Sequence, residues 1–166
     1  MNNLERLTNK ICSIETLKTK VAKWKQNGEK IVFTNGCFDL VHRGHIEILA
    51  KTADLGNRLI IGLNSDISIR ELKGNNRPII DEVSRTTLLA ALEFVDAIVM
   101  FNDRTPLNLI STLAPDVLSK GGDYSIKDVV GHEVVIKNGG EVITIPLTDG
   151  FSTTNIVDKI SKKNNG

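Results

Sequence analysis

The amino-acid sequence predicts an α/β protein, doubly wound around a five-stranded parallel sheet of Rossmann-like type. Short, nearly uniformly apolar runs recur along the chain, as strands covered on both faces require, and the segments between them carry apolar residues at spacings of three and four. With 166 residues, 40% of them apolar and 25% charged, the chain can bury a core of ordinary single-domain size. Its 13 Gly and 4 Pro leave no room for a collagen-like or low-complexity reading.

The elements follow in order. Ile14, Leu17, Val21 and Trp24 share one face behind a capping Ser13, and Gly28 offers a stop, which predicts an amphipathic opening helix. Ile31-Val32-Phe33-Thr34 reads as the first strand, Asn35 to Asp39 as a loop, and about His45 to Leu55 as a helix closed by Gly56. Leu59 to Leu63 gives a second strand, and Leu88, Leu89, Leu92 and Val95 line one helix face. Ala97 to Phe101 is a third strand, after which Thr105-Pro106 reads as an N-cap with Pro at the first position of a helix over Leu107–Leu113. Val117-Leu118 is a short fourth strand, Gly131 to Asn138 a weaker helix and Val142 to Ile145 the fifth strand. Ser152 to Lys162 closes the series as a helix with basic residues at its C-terminal end. Met1 to Lys10 and Lys163 to Gly166 read as loose ends, and the polar segment from Ser65 to Ser84 as a mobile flap over a site.

Composition narrows the function classes. Lys and Arg number 21 against 20 Asp and Glu, a net charge of +1, too even for broad attraction to nucleic acid or an anionic membrane. No nucleic-acid or membrane partner is expected, and any anion site must be local. No apolar run approaches the roughly 20 residues that cross a bilayer, and the opening Met1-Asn2-Asn3-Leu4-Glu5 has no secretory pattern. The two cysteines, Cys12 and Cys37, form no CxxC pair, in keeping with a reducing, cytoplasmic setting.

Sites in this fold class lie at the carboxyl ends of the strands. The loop after the first strand, Thr34 to His45, is the richest. His42 and His45 stand three residues apart where a helix begins, so both rings can lie to one side of that helix end, beside N–H groups that attract phosphate. Gly36 permits a tight turn and Gly44 a close approach of ligand to backbone. Neither GxxxxGK[ST] nor GxGxxG occurs, which removes the main support for a P-loop NTPase or a dinucleotide enzyme. A zinc reading would need a third ligand, such as His132 or Asp39, and no HExxH is present. Cys37 reads most simply as a small residue in a tight turn, and Lys73 and Arg85 taken alone are a loop charge and a helix-start ion pair.

His42-Arg43-Gly44-His45 resembles the HxGH motif of the nucleotidyltransferase superfamily, which includes cytidylyltransferases and pantetheine-phosphate adenylyltransferase. Phe151 to Val157 partly matches a second superfamily motif, ISSTxxR, with Val157 at the Arg position. From about Lys10 to Ile160 the chain is most similar to the D-glycero-β-D-manno-heptose 1-phosphate adenylyltransferases. The stretches that assign this branch are Lys120-Gly121-Gly122-Asp123-Tyr124 and Ser152-Thr153-Thr154-Asn155-Ile156, with Asn64-Ser65-Asp66, Leu72-Lys73-Gly74 and Arg77-Pro78 in support.

The resemblance implies residues 1–28 as an N-terminal helical extension and 29–163 as the nucleotidyltransferase domain. It implies attack by a sugar 1-phosphate oxygen on the α-phosphorus of ATP, with pyrophosphate leaving and no covalent enzyme intermediate. His42 and His45 would donate to the phosphates, and Lys73 and Arg85 would hold the second substrate's phosphate or the pyrophosphate. Thr34, Asn35, Gly36, Phe38 and Gly44 would shape the cradle, while Lys120, Gly122 and Asp123 meet the nucleotide and Ser152, Thr153 and Thr154 meet phosphate at the last helix. A bound anion and the helix end are expected to raise the pKa of both imidazoles. Mg²⁺ would accompany ATP, with no protein ligand assigned to it. Many members are fused behind a ribokinase-like sugar kinase, so the chain's length implies a stand-alone enzyme with a separate heptose 7-phosphate kinase upstream; many relatives form dimers or larger assemblies, so the resemblance implies a homo-oligomer, although the sequence does not fix the oligomeric state. The rival readings are a cytidylyltransferase acting on glycerol 3-phosphate or another alcohol phosphate, and a catalytically silent nucleotide-binding regulator. The first is disfavoured because Leu147-Thr148-Asp149-Gly150 stands where that group carries Arg-Thr-Glu-Gly.

Overall fold

The computed structural model describes residues 1–148 and 150–163. Asp149 and the C-terminal residues 164–166, which belong to the expected loose tail, lie outside the described residues. Strands β1 (Ile31–Gly36), β2 (Arg58–Asn64), β3 (Ala97–Phe101), β4 (Val117–Gly121) and β5 (Glu141–Ile145) form one parallel sheet in the order β3-β2-β1-β4-β5. The order reverses between β1 and β4, so the loops leaving these two neighbours diverge and open a crevice at the carboxyl edge.

The strands are apolar on both faces because both are covered. Ile31 and Phe33 point with Ile60, Val99 and Leu118 into one core, which is covered by α2 (Ile14–Gln26), α6 (Leu107–Leu113) and α7 (His132–Lys137) through Leu17, Val21, Ile110, Leu113 and Val135. Val32, Leu59, Ile61, Ile98 and Val117 point the other way, against Leu49 of α3 (Arg43–Ala53) and Leu89 of α5 (Glu82–Ala90). The alternation of Val32 and Phe33 between the two cores is the period of two in an extended chain. Since Leu17 and Val21 sit in the same core as β1, α2 is part of the sheet's packing.

Three local expectations change. The first residues are not loose: Asn3–Thr8 form α1, capped reciprocally by Asn2 and Glu5, and Ile11 then bridges to Ile98 beside β3. Pro106 is the N-cap of α6 and not its first residue. The presumed flap contains a helix, α4 (Asp66–Lys73), whose N-cap Ser65 accepts from Ser68 N at 3.2 Å and whose Ile69 is fully buried. The segment after it is tied down by the Asp39 carboxylate, which accepts from Ile79 N at 2.8 Å and Ile80 N at 3.0 Å. Eight residues make a helix too short to stand out among the polar residues that follow it, and the carboxylate that anchors the turn is 40 residues away in the chain.

Candidate active site

A cleft of about 550 Å³ opens where β1 and β4 diverge. Its walls come from the β1 loop (Thr34 to Asp39), the first turns of α3 (His45, Ile48), the end of α4 (Lys73), the end of β4 (Lys120, Gly121) and the start of α8, Thr153–Lys163. A smaller neighbouring recess of about 270 Å³ shares His45, Lys73, Thr153 and Thr154 with it and adds His42, Gly44, Phe151 and Ser152. The fold thus brings together Thr34, Asn35, Gly36, Phe38, His42, Gly44, His45, Lys73, Lys120, Ser152, Thr153 and Thr154.

The two imidazoles are the centre of the arrangement. His42 is the N-cap residue of α3 and His45 lies in its first turn, and their rings stack with centroids 3.9 Å apart and planes 19° from parallel. Phe151 stacks on the outer side of His42 at 6.1 Å, and Phe38 meets His45 edge-on at 5.5 Å. Gly44 makes this stack possible: a Cβ there would lie 2.9 Å from Phe151 Cβ and 3.1 Å from the His42 ring. Gly44→Ala is therefore expected to push the His42 ring out of register and cut turnover by about 10²-fold with little change in Tm. Steady-state rates set beside a melting curve check it, and normal turnover would show that the stack is not needed.

Nδ1 of both histidines is buried and has no hydrogen-bond partner among the described residues. Burial removes water from the rings, and the charges of His42 and Lys73 oppose a proton on His45, whose pKa falls to about 4 despite Asp39 nearby. Burial also lowers the pKa of His42. The free site therefore reverses the expected direction: burial favours the neutral form of both imidazoles, and at His45 the neighbouring His42 and Lys73 add to it. Burial lowers the pKa of Lys120 too, and neighbouring Lys73 adds to the effect. At His45 and Lys120 burial outweighs the anionic neighbour each group has, and a polyphosphate would add negative charge.

The sign of the linkage follows. His45 has a folded-state pKa below its unfolded value, so its contribution to stability is full above about pH 6.5 and is lost as the pH falls towards 4. Adding tripolyphosphate should raise the His45 pKa, so binding takes up protons and tightens as the pH drops through this window. An NMR titration of the imidazole with and without the anion measures both effects. An ordinary pKa in the free protein, unmoved by the anion, would refute them.

The remaining expected residues are placed differently. Arg85 is fully buried and faces no cleft: Nε donates to the Ile80 carbonyl at 3.0 Å, Nη1 to the carbonyls of Cys37 (2.6 Å) and Asn64 (2.9 Å), and Nη2 to Asp66 Oδ1 at 2.8 Å. Its place as a direct phosphate ligand is corrected to that of a tie between the β1 loop, the end of β2 and α4. The spacing that put Arg85 at a helix start was right, but periodicity does not reveal which way that face turns. Gly122 and Asp123 line neither the cleft nor the recess, because the chain turns at Gly122 (φ +123°) and brings Tyr124 to the wall instead. A Cβ on Gly122 would lie 2.7 Å from that tyrosine ring.

Sequence reasoning gave no role to Arg77, Tyr124, Ile48 or Leu147, all of which line the cleft. Only Ile48, three residues beyond His45 on the same helix, carried a local signal. Asp39 is 5% exposed and is the hub that joins the pieces. Besides its bonds to Ile79 and Ile80 it accepts from Arg77 Nη1 at 3.3 Å, and its carbonyl accepts from Thr153 Oγ1 at 2.7 Å. Ser152 caps α8 by accepting from Asn155 N at 3.0 Å, leaving the two threonines on the cleft wall. Among the described residues no three His, Cys, Asp or Glu side chains converge on one point, and the Asp39 carboxylate is already engaged, so the donor set does not fit a metal held by protein ligands alone. No described helix is long and apolar enough to cross a membrane.

The chain is similar to known proteins in sequence and in fold. The bifunctional protein HldE of Koribacter versatilis is 51% identical over 150 residues, and that of Geobacter sulfurreducens 51% identical over 153 residues. These alignments cover 90% and 92% of this chain but only 31% of each relative, so the chain spans about a third of their length. The crystal structure of a lipopolysaccharide core biosynthesis protein from Thermoplasma volcanium superposes with a TM-score of 0.59 at 26% identity, covering 73% of this chain and 98% of that one. A pantoate-beta-alanine ligase from Francisella tularensis shares the fold alone, with a TM-score of 0.59 at 14% identity over 92% of this chain and 76% of that one. Residues 33–159, which hold all of the sheet but Ile31 and Val32 together with both histidines, match the cytidylyltransferase-like family, and the chain belongs to that family of nucleotidyltransferases.

Proposed function

We propose that the chain transfers AMP from ATP to D-glycero-β-D-manno-heptose 1-phosphate, giving ADP-D-glycero-β-D-manno-heptose and pyrophosphate. The observation that carries the chemistry is the stacked pair of neutral imidazoles, with Lys73 and Lys120, around a cleft at the N-terminus of α3. The choice of sugar and base rests on the roughly one-half identity to HldE proteins.

In this reading the triphosphate lies across the first turn of α3, where free backbone N–H groups and the two rings donate to its oxygens. Lys73 and Lys120 offset the repulsion between two anionic reactants and hold them in line. As charge grows on the α-phosphoryl and bridging oxygens, donors fixed by stacking and packing stabilise it without having to reorganise. Ile48, Gly121 and Leu147 form the apolar part of the wall, suited to a flat base. Mg²⁺ brought with ATP would shield the triphosphate's charge, and no residue of this chain is assigned to hold it. A sugar kinase acting upstream, on heptose 7-phosphate, installs the phosphate at carbon 1.

Pyrophosphate release with a panel of nucleotides and phosphates tests the assignment. ATP with the β-heptose 1-phosphate should give the highest kcat/KM. Turnover of CTP with glycerol 3-phosphate in its place would overturn the branch, and nucleotide binding with no turnover of any pair would favour the regulator.

A further inference from the structure

A second cleft, of about 430 Å³, opens from the first. The two share Asn35, Gly36, Cys37, Lys73, Lys120 and Tyr124, whereas Asn64, Arg104, Thr105 and Asp128 belong to the second alone. Leu72, Pro106 and Val129 supply its apolar surface. One wall is the end of β2 with the loop after β3, and the other is the short 3-10 turn Ile126–Asp128. The loop that carries Arg104 is anchored: Asn64 Nδ2 donates to Ser68 Oγ at 2.9 Å, and that hydroxyl donates to the Asp103 carbonyl at 3.1 Å. Asn108 Nδ2 also donates to Asp103 Oδ2, at 2.8 Å.

Charge is divided along this cleft. The lysines lie at the boundary shared with the nucleotide cleft, while Asp128 and Arg104 lie in the part beyond it. Both of the latter are exposed, and neither belongs to an ion pair among the described residues. A carboxylate beyond the lysines repels a polyphosphate but accepts hydrogen bonds from hydroxyl groups, and a guanidinium donates to them. The volume suits one small ligand. An occupant anionic at one end and polyhydroxylated at the other satisfies every wall, and a sugar phosphate is such a molecule.

We infer that this second cleft seats the sugar of the acceptor, with Asp128 and Arg104 as the residues that set its specificity through the sugar hydroxyls, and with the acceptor's phosphate at Lys73 and Lys120. The inference rests on the adenylyl-transfer reading above. Asp128→Asn and Arg104→Gln, each checked for an unchanged Tm, are assayed by pyrophosphate release with heptose 1-phosphate and with ribose 1-phosphate. Either variant should raise KM for the heptose phosphate by about 10- to 100-fold, leave KM for ATP within about twofold, and narrow the preference for the heptose. Active wild-type protein whose variants keep the wild-type KM and preference would overturn the inference alone. Wild-type protein that releases no pyrophosphate with any sugar 1-phosphate would overturn the underlying reading, and this assignment with it.

Discussion

His45→Ala lowers turnover by about 10²- to 10⁴-fold and leaves the fold intact. The ring lies between His42 and Phe38 on the cleft wall, and its Nδ1 has no partner among the described residues, so its removal breaks no internal hydrogen bond. Its pKa of about 4 means that loss of the side chain also removes a group whose protonation opposes folding in acid. The variant should therefore lose less stability than the wild type between pH 6.5 and pH 4. Donation to the growing charge is the role assigned to the ring, so the loss should fall on kcat, with a small change in KM for ATP. The double variant with His42→Ala should lose much less than the product of the two single losses, because stacked rings acting on one phosphate form a unit. Near-normal kcat in His45→Ala at an unchanged Tm would remove the ring from the mechanism.

The largest effect on stability is expected from Arg85→Met. The guanidinium is fully buried and donates to three carbonyls and the Asp66 carboxylate. Methionine fills much of the volume but leaves those acceptors without a donor. Breaking a buried charged pair on one side costs about 3–5 kcal/mol, which at this chain length lowers Tm by about 6–20 °C. Arg85→Lys should recover only part of this, since one ammonium cannot reach acceptors arranged around a planar fork. The carbonyl of Cys37 is among them, so the β1 loop should also loosen and kcat should fall even where the variant is folded. A normal Tm with a raised KM for the sugar phosphate would instead return Arg85 to the role of substrate ligand.

The parts of this protein that the sequence shows are those with a short-range cause. Apolar runs such as Leu59 to Leu63 announce buried strands because both faces of an extended chain are covered, and Leu17 and Val21 announce the packed face of α2 because a helix repeats every 3.6 residues. The histidine cradle was legible for a similar reason: motif, helix start and glycine lie within four residues. Arg77 was not, since the Asp39 that holds it at the cleft is 38 residues away, and Tyr124 was not, since the glycines before it announce a turn but not which side chain the turn brings to the wall. Arg85 was legible as a residue but not as a role.

The sequence alone determined the α/β class, the strand positions and the His42-Arg43-Gly44-His45 motif at a helix start after the first strand, because each is a property of neighbouring residues. Only the folded chain decided the strand order, which opens the crevice between β1 and β4, the burial that holds the imidazoles neutral, and the turn of Arg85 into the core. Those depend on which distant segments come to lie against one another, and desolvation and hydrogen-bond partners exist only once they do.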